Sequence, residues 1–364
     1  MTTIFFTGFP GFLGRELLPR VLARSNETRA LCLVQSKFKQ MAEGAVRELV
    51  AADPSLKGRI ELVEGDLTRK DLGLGQDRDA IAKGVGEIYH LAAVYDLAVK
   101  REVGMAINVD GTRHLLDFAR RCEKLERHQY VSTCYVSGKH PGIFREQDLD
   151  VGQSFNNFYE ETKFLAEVLV QKAMEEGMPT SIYRPSIVVG DSKTGATQKY
   201  DGPYFVIRYL LKQKTSFALA PVAGDPTRTR LNIVPRDYVV DAITELSGSD
   251  RSLGKVYQLA SPEPATIEEL MNRLGETTGK RLIGVKLPEG VGRKALNRYP
   301  KLSELFGMPG EVLDYFVHPT YYTTHVAEAD LAGTGIHPAT PREMLARMTE
   351  FVRANPDVSS AAMI

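Results

Sequence analysis

The first half of the chain alternates between short apolar runs and longer segments in which apolar residues recur at helical spacing. The short runs are Thr3–Thr7, Ala30–Val34, Ile60–Glu64, Glu87–His90, Gln129–Ser132 and Thr180–Arg184. The helical spacing covers Leu13–Arg24, Lys37–Ala52, Asn108–Cys122 and Phe158–Glu176. This alternation predicts an α/β fold in which a parallel sheet is covered by helices on both faces.

The alternation stops after Gly190, where a segment rich in Gly, Pro, Thr and aromatic residues begins. The next elements are predicted as a strand at Leu231–Pro235, a helix at Arg236–Leu246, a strand at Val256–Ala260 and short helices from Pro262 onward. We therefore predict a larger domain formed by residues 1–190 and 231–262, and a smaller lobe formed by residues 191–230 and 263–364.

A glycine-rich loop joins the first strand to the first helix. Its sequence is Thr7-Gly8-Phe9-Pro10-Gly11-Phe12-Leu13-Gly14. A turn of this kind lets the backbone approach a pyrophosphate closely, and the following helix points free N–H groups at the phosphates. The spacing is G-x-x-G-x-x-G, and a glycine triplet alone could be a mere turn. Its place between strand and helix favours a dinucleotide-binding loop.

The end of the second strand bears on the choice between NAD and NADP. A carboxylate there typically binds the ribose of NAD, whereas a basic residue suits the 2′-phosphate of NADP. This chain has Gln35, with Lys37 and Lys39 close by. The pattern favours NADP(H), although the lysines could simply face solvent. After the third strand, Asp66-Leu67 is placed to contact the adenine, or Asp66 could be only a turn residue.

Composition narrows the class of protein. The chain has 364 residues, 43% of them hydrophobic, and its 46 basic residues equal its 46 acidic ones. This balance gives no reason to expect nucleic acid or an anionic membrane as a partner. We expect no secretory signal and no transmembrane segment. Cys32, Cys122 and Cys134 show no metal-binding spacing with the histidines, so we expect reduced thiols, no metal site and a cytoplasmic location.

Two Tyr-x-x-x-Lys matches occur, and their contexts differ. Tyr135 and Lys139 lie at a strand end, where this spacing does not align the two side chains. Tyr159 and Lys163 lie in the predicted helix Phe158–Glu176, where residues four apart project from one face. Since a chain with 15 tyrosines is expected to contain a chance match, context decides in favour of the second pair.

The chemistry explains why these two residue types belong together. A phenol is a weak acid, with an ordinary pKa near ~10. A lysine cation one helical turn away is expected to lower the pKa of Tyr159 towards working pH, and Lys163 can also bind the ribose of the cofactor. A third group must hold the substrate oxygen. We assign this role to Thr133, with Ser132 as its structural neighbour, because both follow the strand that ends beside the predicted site.

The motifs and their order resemble those of extended short-chain dehydrogenases/reductases. The motifs are TGFPGFLG, EGDL, HLAA, NVDGT, VSTCYVSG, YEETK and YRPSIVVG. Within that superfamily the chain resembles the fatty acyl-CoA and carrier-protein thioester reductase branch, also described as male-sterility-like. The residues that carry this narrower resemblance are Phe12-Leu13, Val131-Ser132-Thr133, Gly190-Asp191-Ser192 and Val234-Pro235-Arg236-Asp237-Tyr238.

The resemblance implies a Rossmann-type, doubly wound parallel sheet with a smaller, mostly helical C-terminal substrate lobe. It implies Thr133, Tyr159 and Lys163 as the catalytic set. The cofactor would be lined by Gly8, Phe9, Pro10, Gly11, Phe12, Leu13, Gly14, Gln35, Lys37, Asp66, Leu67, Ala92, Ala93, Asn108, Lys163, Pro185 and Ser186. Asn108 could equally cap a helix. Many such reductases carry Arg in place of Gln35, and this difference weakens the preference for NADP.

The segment 191–230 is the only hint about the substrate. It is locally basic and contains Tyr200, Tyr204, Phe205 and Tyr209. These residues could form a slot for the phosphate-bearing tail of coenzyme A or a phosphopantetheine arm. A solvated basic helix packed by its own aromatics explains the pattern at least as well.

Three functions remain open at this stage. The first is NADP(H)-dependent reduction of a fatty acyl or related thioester, carried by coenzyme A or a carrier protein, to an aldehyde or alcohol. The second is ketone/alcohol or epimerase chemistry on a lipid, sterol-like or sugar-nucleotide substrate. The third is a non-catalytic nucleotide sensor, which would have no reason to keep Thr133, Tyr159 and Lys163. A homodimer also stays open.

Overall fold

The computed structural model describes residues 2–287, 315 and 317–359. The strands are β1 (Thr3–Thr7), β2 (Arg29–Val34), β3 (Ile60–Glu64), β4 (Val85–His90), β5 (Arg127–Val131), β6 (Gly142–Phe144), β7 (Thr180–Pro185), β8 (Ile187–Val189), β9 (Phe217–Ala223), β10 (Arg230–Leu231), β11 (Ile233–Pro235), β12 (Val256–Leu259), β13 (Ala265–Thr266), β14 (Arg281–Leu287) and β15 (Thr320–Tyr322). The helices are α1 (Gly14–Leu22), α2 (Lys39–Ala52), α3 (Arg78–Gly84), α4 (Arg101–Gly104), α5 (Gly111–Ala119), α6 (Phe158–Glu175), α7 (Pro203–Lys212), α8 (Arg236–Ser247), α9 (Ile267–Thr278), α10 (His325–Leu331) and α11 (Pro341–Ala354).

The central sheet has seven strands in the order β12-β7-β5-β4-β1-β2-β3. Every neighbouring pair in it is parallel. The chain moves from β1 outwards to β3 and then returns to β4 on the other side of β1. The α/β class and the doubly wound parallel sheet are therefore confirmed, and the carboxyl ends of β1 and β4 mark the point where such sheets bind ligands.

Helices cover both faces of this sheet, and its central strands such as β1 and β4 are buried along their whole length. One face packs against apolar residues of α1, α2 and α8, such as Leu17, Ala42 and Ile243. The other face packs against α3, α5 and α6, with Phe118 and Val170 among the contacts. Near-continuous apolar strands such as Ile4–Phe6 suit a sheet that is covered twice.

A separate apolar cluster lies beyond the sheet, where α7, α9 and α11 pack together. Its buried residues include Ile207, Leu274 and Leu345. The predicted boundaries of the two domains stay a prediction. Within the predicted 263–364 segment, residues 288–314, 316 and 360–364 lie outside the described residues. In the part of the chain that is described, no helix has both the length and the apolar character needed to cross a bilayer.

Two predicted elements differ from the structure. The strand predicted at Leu231–Pro235 is split into β10 and β11, because the side chain of Asn232 exchanges two hydrogen bonds of 2.8 Å with the backbone of Ser261. The helix predicted at Asn108–Cys122 begins as a π-helical turn over Met105–Asp110 and becomes regular only in α5. Such turns place an extra residue in the helix and re-aim its side chains.

Candidate active site

A cavity of about 580 Å³ opens at the carboxyl ends of the central strands. It is lined by loops that follow β1, β2, β3, β4, β5 and β7, and by residues of the helical lobe. All but one of the predicted site residues line it. They are Gly8, Phe9, Pro10, Gly11, Phe12, Leu13, Gly14, Gln35, Lys37, Asp66, Leu67, Ala92, Ala93, Thr133, Tyr159, Lys163, Pro185 and Ser186.

The glycine loop leaves space that side chains would fill. Gly8 has a φ of +91°, a conformation that residues with a Cβ rarely adopt. A Cβ on Gly14 would lie 2.5 Å from the Gly8 carbonyl oxygen, and one on Gly11 would lie 2.8 Å from the same atom. Glycine is therefore required at these positions for α1 to begin directly under the loop, with its positive end towards the cavity.

At the end of β2, Gln35 and Lys37 border the same cavity as Asp66. Partial burial alone would raise the pKa of Asp66, but hydrogen bonds from Thr68 and Gln35 hold that pKa below its ordinary value. Lys37 is exposed, with its Nζ 4.9 Å from the Phe38 ring centroid. The other nearby lysine, Lys39, instead forms an ion pair of 3.7 Å with Glu64.

Thr133 and Tyr159 meet at the centre of the cavity. Thr133 follows β5, and its hydroxyl accepts a hydrogen bond of 3.2 Å from the Tyr135 N–H. Tyr159 lies in the first turn of α6, which begins at Phe158 because the Asn157 side chain caps it. The Thr133 side chain is close enough to act on the Tyr159 hydroxyl, where it lowers the pKa of the phenol. The Tyr159 ring is held edge-on against Tyr95, with 5.1 Å between ring centroids.

The expected effect of Lys163 on Tyr159 is not what the structure shows. Burial raises the pKa of Tyr159 above its ordinary value, and the Thr133 side chain opposes that rise only in part. Lys163 donates instead to the hydroxyl of Tyr130 at 3.0 Å and to the carbonyl of Val131 at 2.8 Å. The prediction was wrong because it considered spacing along the helix and left out desolvation, which disfavours the phenolate.

Lys163 is itself strongly affected by its surroundings. Its side chain is buried, and burial lowers its pKa to about 7, although the nearby carboxylate of Glu167 acts in the opposite direction. The ammonium group is therefore close to its titration point at neutral pH. Perturbed values of this kind are concentrated in functional sites.

Asn108 does not line the cavity, contrary to the prediction that it binds the cofactor. Its side chain accepts from the Val94 N–H at 2.8 Å and donates to Thr162 Oγ1 at 3.0 Å. The π-helical turn directs it between the β4 loop and α6. Asn108 therefore fixes the loop that carries Val94 and Tyr95 rather than contacting a ligand or capping a helix.

Two further predicted positions present polar or backbone groups near the cavity. Ser186 Oγ is buried and has no hydrogen-bond partner among the described residues. Pro185, its neighbour, ends β7 and accepts a hydrogen bond of 3.4 Å from the Thr133 hydroxyl. On the other side, the Ala92 N–H donates to Thr7 Oγ1 at 3.2 Å, so the Ala92–Ala93 loop is tied to the end of β1.

Several cavity residues were missed by sequence analysis. Tyr135 was set aside as half of a chance motif, yet its ring lines the cavity and packs edge-on against Tyr315 at 4.8 Å. Part of the lining consists of apolar side chains from distant elements: Leu97, Phe205, Val206, Leu231, Ile233, Ile267, Leu270, Met271, Leu274 and Leu345. The positions in α9 follow helical spacing, but that pattern only identifies a packed face.

Some residues of the basic segment 191–230 are buried in the core of the lobe, and others border the cavity. Tyr200 and Tyr204 are buried and stack at 5.5 Å, so they belong to the packing of the lobe. Phe205 and Lys199 border the cavity. Lys199 lies over the Tyr95 ring at 5.2 Å and pairs with Asp201 at 3.5 Å. The interpretation of this segment as a solvated basic helix does not account for Lys199 and Phe205, which border the cavity. The alternative, an aromatic slot for a phosphate-bearing arm, is wrong for Tyr200 and Tyr204, which are buried in the lobe.

Comparisons with known proteins show the family of the chain. A family model described as "Male sterility protein" matches residues 6–243. A linear gramicidin synthase of Brevibacillus parabrevis is 29% identical over 296 residues, which cover 78% of this chain and 6% of that protein. An aldehyde reductase of Aspergillus flavus is 26% identical over 331 residues, which cover 85% of this chain and 32% of the relative. The chain thus spans less than two thirds of the length of these relatives.

Solved structures extend the similarity to the whole fold. The terminal R domain from the myxalamid PKS-NRPS biosynthetic pathway superposes with a TM-score of 0.79 and 26% identity, covering 99% of this chain and 92% of that one. A UDP-glucuronic acid 4-epimerase from Bacillus cereus, in complex with NAD, gives a TM-score of 0.67 at 18% identity and covers 99% of both chains. The second similarity concerns the fold alone.

Proposed function

Because the chain belongs to the Male sterility protein family, within the extended short-chain dehydrogenases/reductases, we propose that it reduces a fatty acyl or related thioester with NADPH. The chain is an oxidoreductase of this superfamily that uses a nicotinamide dinucleotide for carbonyl reduction. The choice of a thioester, of a fatty acyl chain and of NADPH goes beyond the family.

The residues at the glycine loop fit a dinucleotide. Gly8, Gly11 and Gly14 leave open the space that a pyrophosphate needs, and the start of α1 offers N–H groups to it. Ser186 supplies a buried hydroxyl without a partner among the described residues, which suits the amide of a nicotinamide. When bound, the reduced cofactor supplies the hydride.

The end of β2 supports NADP over NAD. Gln35 stands where a carboxylate would repel a 2′-phosphate, and its side chain is hydrogen-bonded to Asp66. Lys37 borders the cavity and is the one nearby lysine without an ion pair in the described part of the chain. A flexible exposed ammonium can reach a phosphate placed at this edge.

Thr133 and Tyr159 are placed to hold the oxygen of the carbonyl group. When hydride adds to a thioester carbon, charge develops on that oxygen, and hydroxyl donors fixed beforehand stabilise it. The C–S bond then breaks and the thiolate leaves, taking up a proton to become a free thiol. Lys163, one turn along α6 from Tyr159, borders the same cavity and can bind the ribose of the cofactor.

One observation carries the choice of an acyl substrate. Besides the Thr133–Tyr159 pair, the cavity is lined by many aliphatic and aromatic side chains of the helical lobe, among them Val206, Ile267 and Leu274. Burying a methylene group there contributes about 0.8 kcal/mol, so a long acyl chain would bind far better than a sugar nucleotide. Lys199 also borders the cavity, and its ammonium group suits the phosphate-bearing thiol arm of such a substrate. Coenzyme A and a carrier protein both deliver such an arm.

The test is a reduction assay with NADPH and palmitoyl-CoA, in parallel with the same acyl group on a phosphopantetheine-bearing carrier protein. We expect NADPH consumption, release of free thiol, and an aldehyde that can be trapped as a hydrazone. The Tyr159→Phe variant should lose activity, whereas Tyr183→Phe should not, since its hydroxyl contacts Gln129 outside the cavity. Reduction of ketones without thiol release from either thioester would favour the second candidate function. Full turnover by Tyr159→Phe would contradict the catalytic assignment.

A further inference from the structure

A row of buried side chains leads from Lys163 to the ends of β4 and β1. Lys163 Nζ donates to the Tyr130 hydroxyl at 3.0 Å, the Tyr130 ring packs against the His90 ring with 5.5 Å between centroids, and the Thr112 side chain acts on the Tyr130 hydroxyl. Thr112 Oγ1 lies 2.9 Å from His90 Nε2, and His90 Nδ1 lies 2.9 Å from Thr7 Oγ1. None of these residues is more than 3% exposed. Water therefore has little access to any link between them.

Each hydroxyl group has one proton, and this determines which group donates and which accepts in the hydrogen bonds nearest Lys163. The Thr112 hydroxyl donates its one proton to the Asn108 carbonyl at 2.6 Å, so it has only lone pairs for its two neighbours. The Tyr130 hydroxyl must then be the donor to Thr112. Its own oxygen is left to accept from Lys163, which is the arrangement that a cation requires.

The same reasoning continues through the imidazole. Burial, assisted by the charge of Lys163, holds the pKa of His90 well below its ordinary value, so the ring is neutral and has a single proton. We assign that proton to Nε2, facing Thr112, since Thr112 can only accept. Nδ1 then accepts from the Thr7 hydroxyl, whose oxygen accepts from the Ala92 N–H at 3.2 Å. Each hydroxyl group of the row and the imidazole N–H of His90 thus donates one hydrogen bond.

We propose that Tyr130, Thr112 and His90 act as positioning residues that hold the Lys163 ammonium and tie it to the two cofactor loops. The proposal rests on the proposed function, in which Lys163 belongs to the catalytic set. With the Tyr130 oxygen and the Val131 carbonyl fixing two of its three N–H groups, the third is left for the cavity that Lys163 lines. Thr7 and Ala92, at the far end, adjoin the glycine loop and the β4 loop.

The charge state of Lys163 makes the proposal measurable. The titratable groups that interact with it are Glu167 from α6, Tyr130 from β5 and His90 from β4. A hydroxyl oxygen that accepts from the ammonium favours the charged form. Removing this acceptor should lower the pKa of Lys163 below its value of about 7. If catalysis needs the charged form of Lys163, the variant should lose activity with rising pH at a lower pH than the unchanged protein does.

The main variant is Tyr130→Phe, which keeps the ring 4.5 Å from Lys163 Nζ and removes only the oxygen. Since a hydrogen bond to a charged group contributes about 1.5–3 kcal/mol, we expect kcat to fall about tenfold or more. The KM for the thioester should change little, and the alkaline limb of the pH–kcat profile should move to lower pH. Tyr183→Phe is the matched control, because it removes an equally buried hydroxyl that contacts Gln129.

A second pair of variants tests the row one link further away. Thr112→Val removes the acceptor that orients the Tyr130 hydroxyl, whereas Thr112→Ser keeps it. We expect a fall in kcat of about two- to tenfold for the valine variant, with the same shift in the alkaline limb, and recovery in the serine variant. This pair also decides the question if Tyr130→Phe does not fold. A purely structural role would lower the amount of folded protein without moving the pH limb.

A measurement without substrate separates this proposal from the proposed function. In protein labelled with ¹³C at lysine Cε, Lys163 should titrate near neutral pH, far from exposed lysines. We expect its midpoint to move to lower pH in Tyr130→Phe and Thr112→Val, and to stay in place in Tyr183→Phe and Thr112→Ser. This holds even if no thioester is reduced. An unchanged Lys163 midpoint in both Tyr130→Phe and Thr112→Val would overturn the proposal.

Discussion

Replacing Arg184 by Met should destabilise the protein strongly and also disturb the active site. Arg184 and Glu167 are both fully buried, and their ion pair has N–O distances of 2.6 and 2.9 Å. Arg184 also donates to the carbonyl groups of Glu146 and Asp148. Glu167 accepts from the Ser132 hydroxyl at 2.5 Å, one residue before Thr133. The pair thus joins α6, β7 and the end of β5 directly behind the candidate catalytic groups.

The expected magnitude follows from leaving a buried carboxylate without its partner. Breaking a buried ion pair from one side costs about 3–5 kcal/mol, far more than the net stability that the intact pair contributes. The Arg184→Met/Glu167→Met double variant removes both charges and fills a similar volume. We therefore expect it to be less destabilised than Arg184→Met alone, although the Ser132 hydroxyl and two carbonyl groups lose partners in it as well.

The assay is urea unfolding at two pH values. Far-ultraviolet circular dichroism and tyrosine fluorescence should both be followed, because the chain has no tryptophan and free energies are meaningful only where the two curves coincide. In Arg184→Met the unpaired Glu167 should have a raised pKa in the folded state. Its destabilising effect is then largest at high pH and should diminish towards about pH 5, as the folded protein takes up a proton.

Two results would refute this reasoning. If the double variant lost as much free energy of unfolding as the sum of the two single variants, the charges of Arg184 and Glu167 would not be coupled. If Arg184→Met were destabilised equally at both pH values, the loss would come from packing, for instance against Phe144, which the guanidinium overlies at 5.5 Å. A reduced kcat of Arg184→Met at saturating substrate would show that the Arg184–Glu167 pair, through Ser132, affects the position of the catalytic groups.

Two further predictions concern the two ends of the cavity. Gln35→Asp should raise the KM for NADPH relative to NADH by about tenfold or more, because a carboxylate would face the 2′-phosphate, whereas Gln35→Asn should not. Steady-state kinetics with both cofactors checks this, and an unchanged ratio would remove the support for NADP. Leu274→Phe should lower kcat/KM for long acyl chains about fourfold per excluded methylene, while Leu274→Ala should not. A series of acyl-CoA substrates checks it, and an unchanged chain-length profile would place the acyl group elsewhere.

The sequence predicted those features that depend on local spacing. The strands β1 and β3 occur at the predicted residues, and α6 differs from its prediction by one residue. Both depend on the alternation of apolar residues and on turn or cap residues beside them. The glycine loop was equally predictable, because its turn requires glycine at every third position, and this spacing is visible between a strand and a helix. The cavity positions of Tyr159 and Thr133 followed from one helix and one strand end.

What the sequence could not supply depends on contacts between distant residues. The apolar lining of the cavity combines Leu231, Ile267 and Leu345, which belong to three different elements. In the sequence, each of these residues cannot be distinguished from a residue of the hydrophobic core. Lys163 contacts Tyr130, which precedes it by 33 residues, rather than its neighbour on the helix. No periodicity in the sequence predicts this hydrogen-bond partner, because the partner depends on which polar groups become desolvated when α6 packs against the sheet.

The pKa of Tyr159 shows most clearly why burial changes the chemistry that spacing suggests. A phenolate would be the useful form for oxidising an alcohol, because that reaction needs a base to take the hydroxyl proton. Carbonyl reduction needs the opposite, a protonated phenol that donates to the oxygen as charge develops there. Burial raises the pKa of Tyr159, so at neutral pH the phenol keeps its proton and the Thr133 hydroxyl lies beside it. An ordinary phenol, with a pKa near ~10, also keeps its proton at neutral pH, so burial widens the pH range in which Tyr159 stays protonated and does not itself set the direction of the reaction.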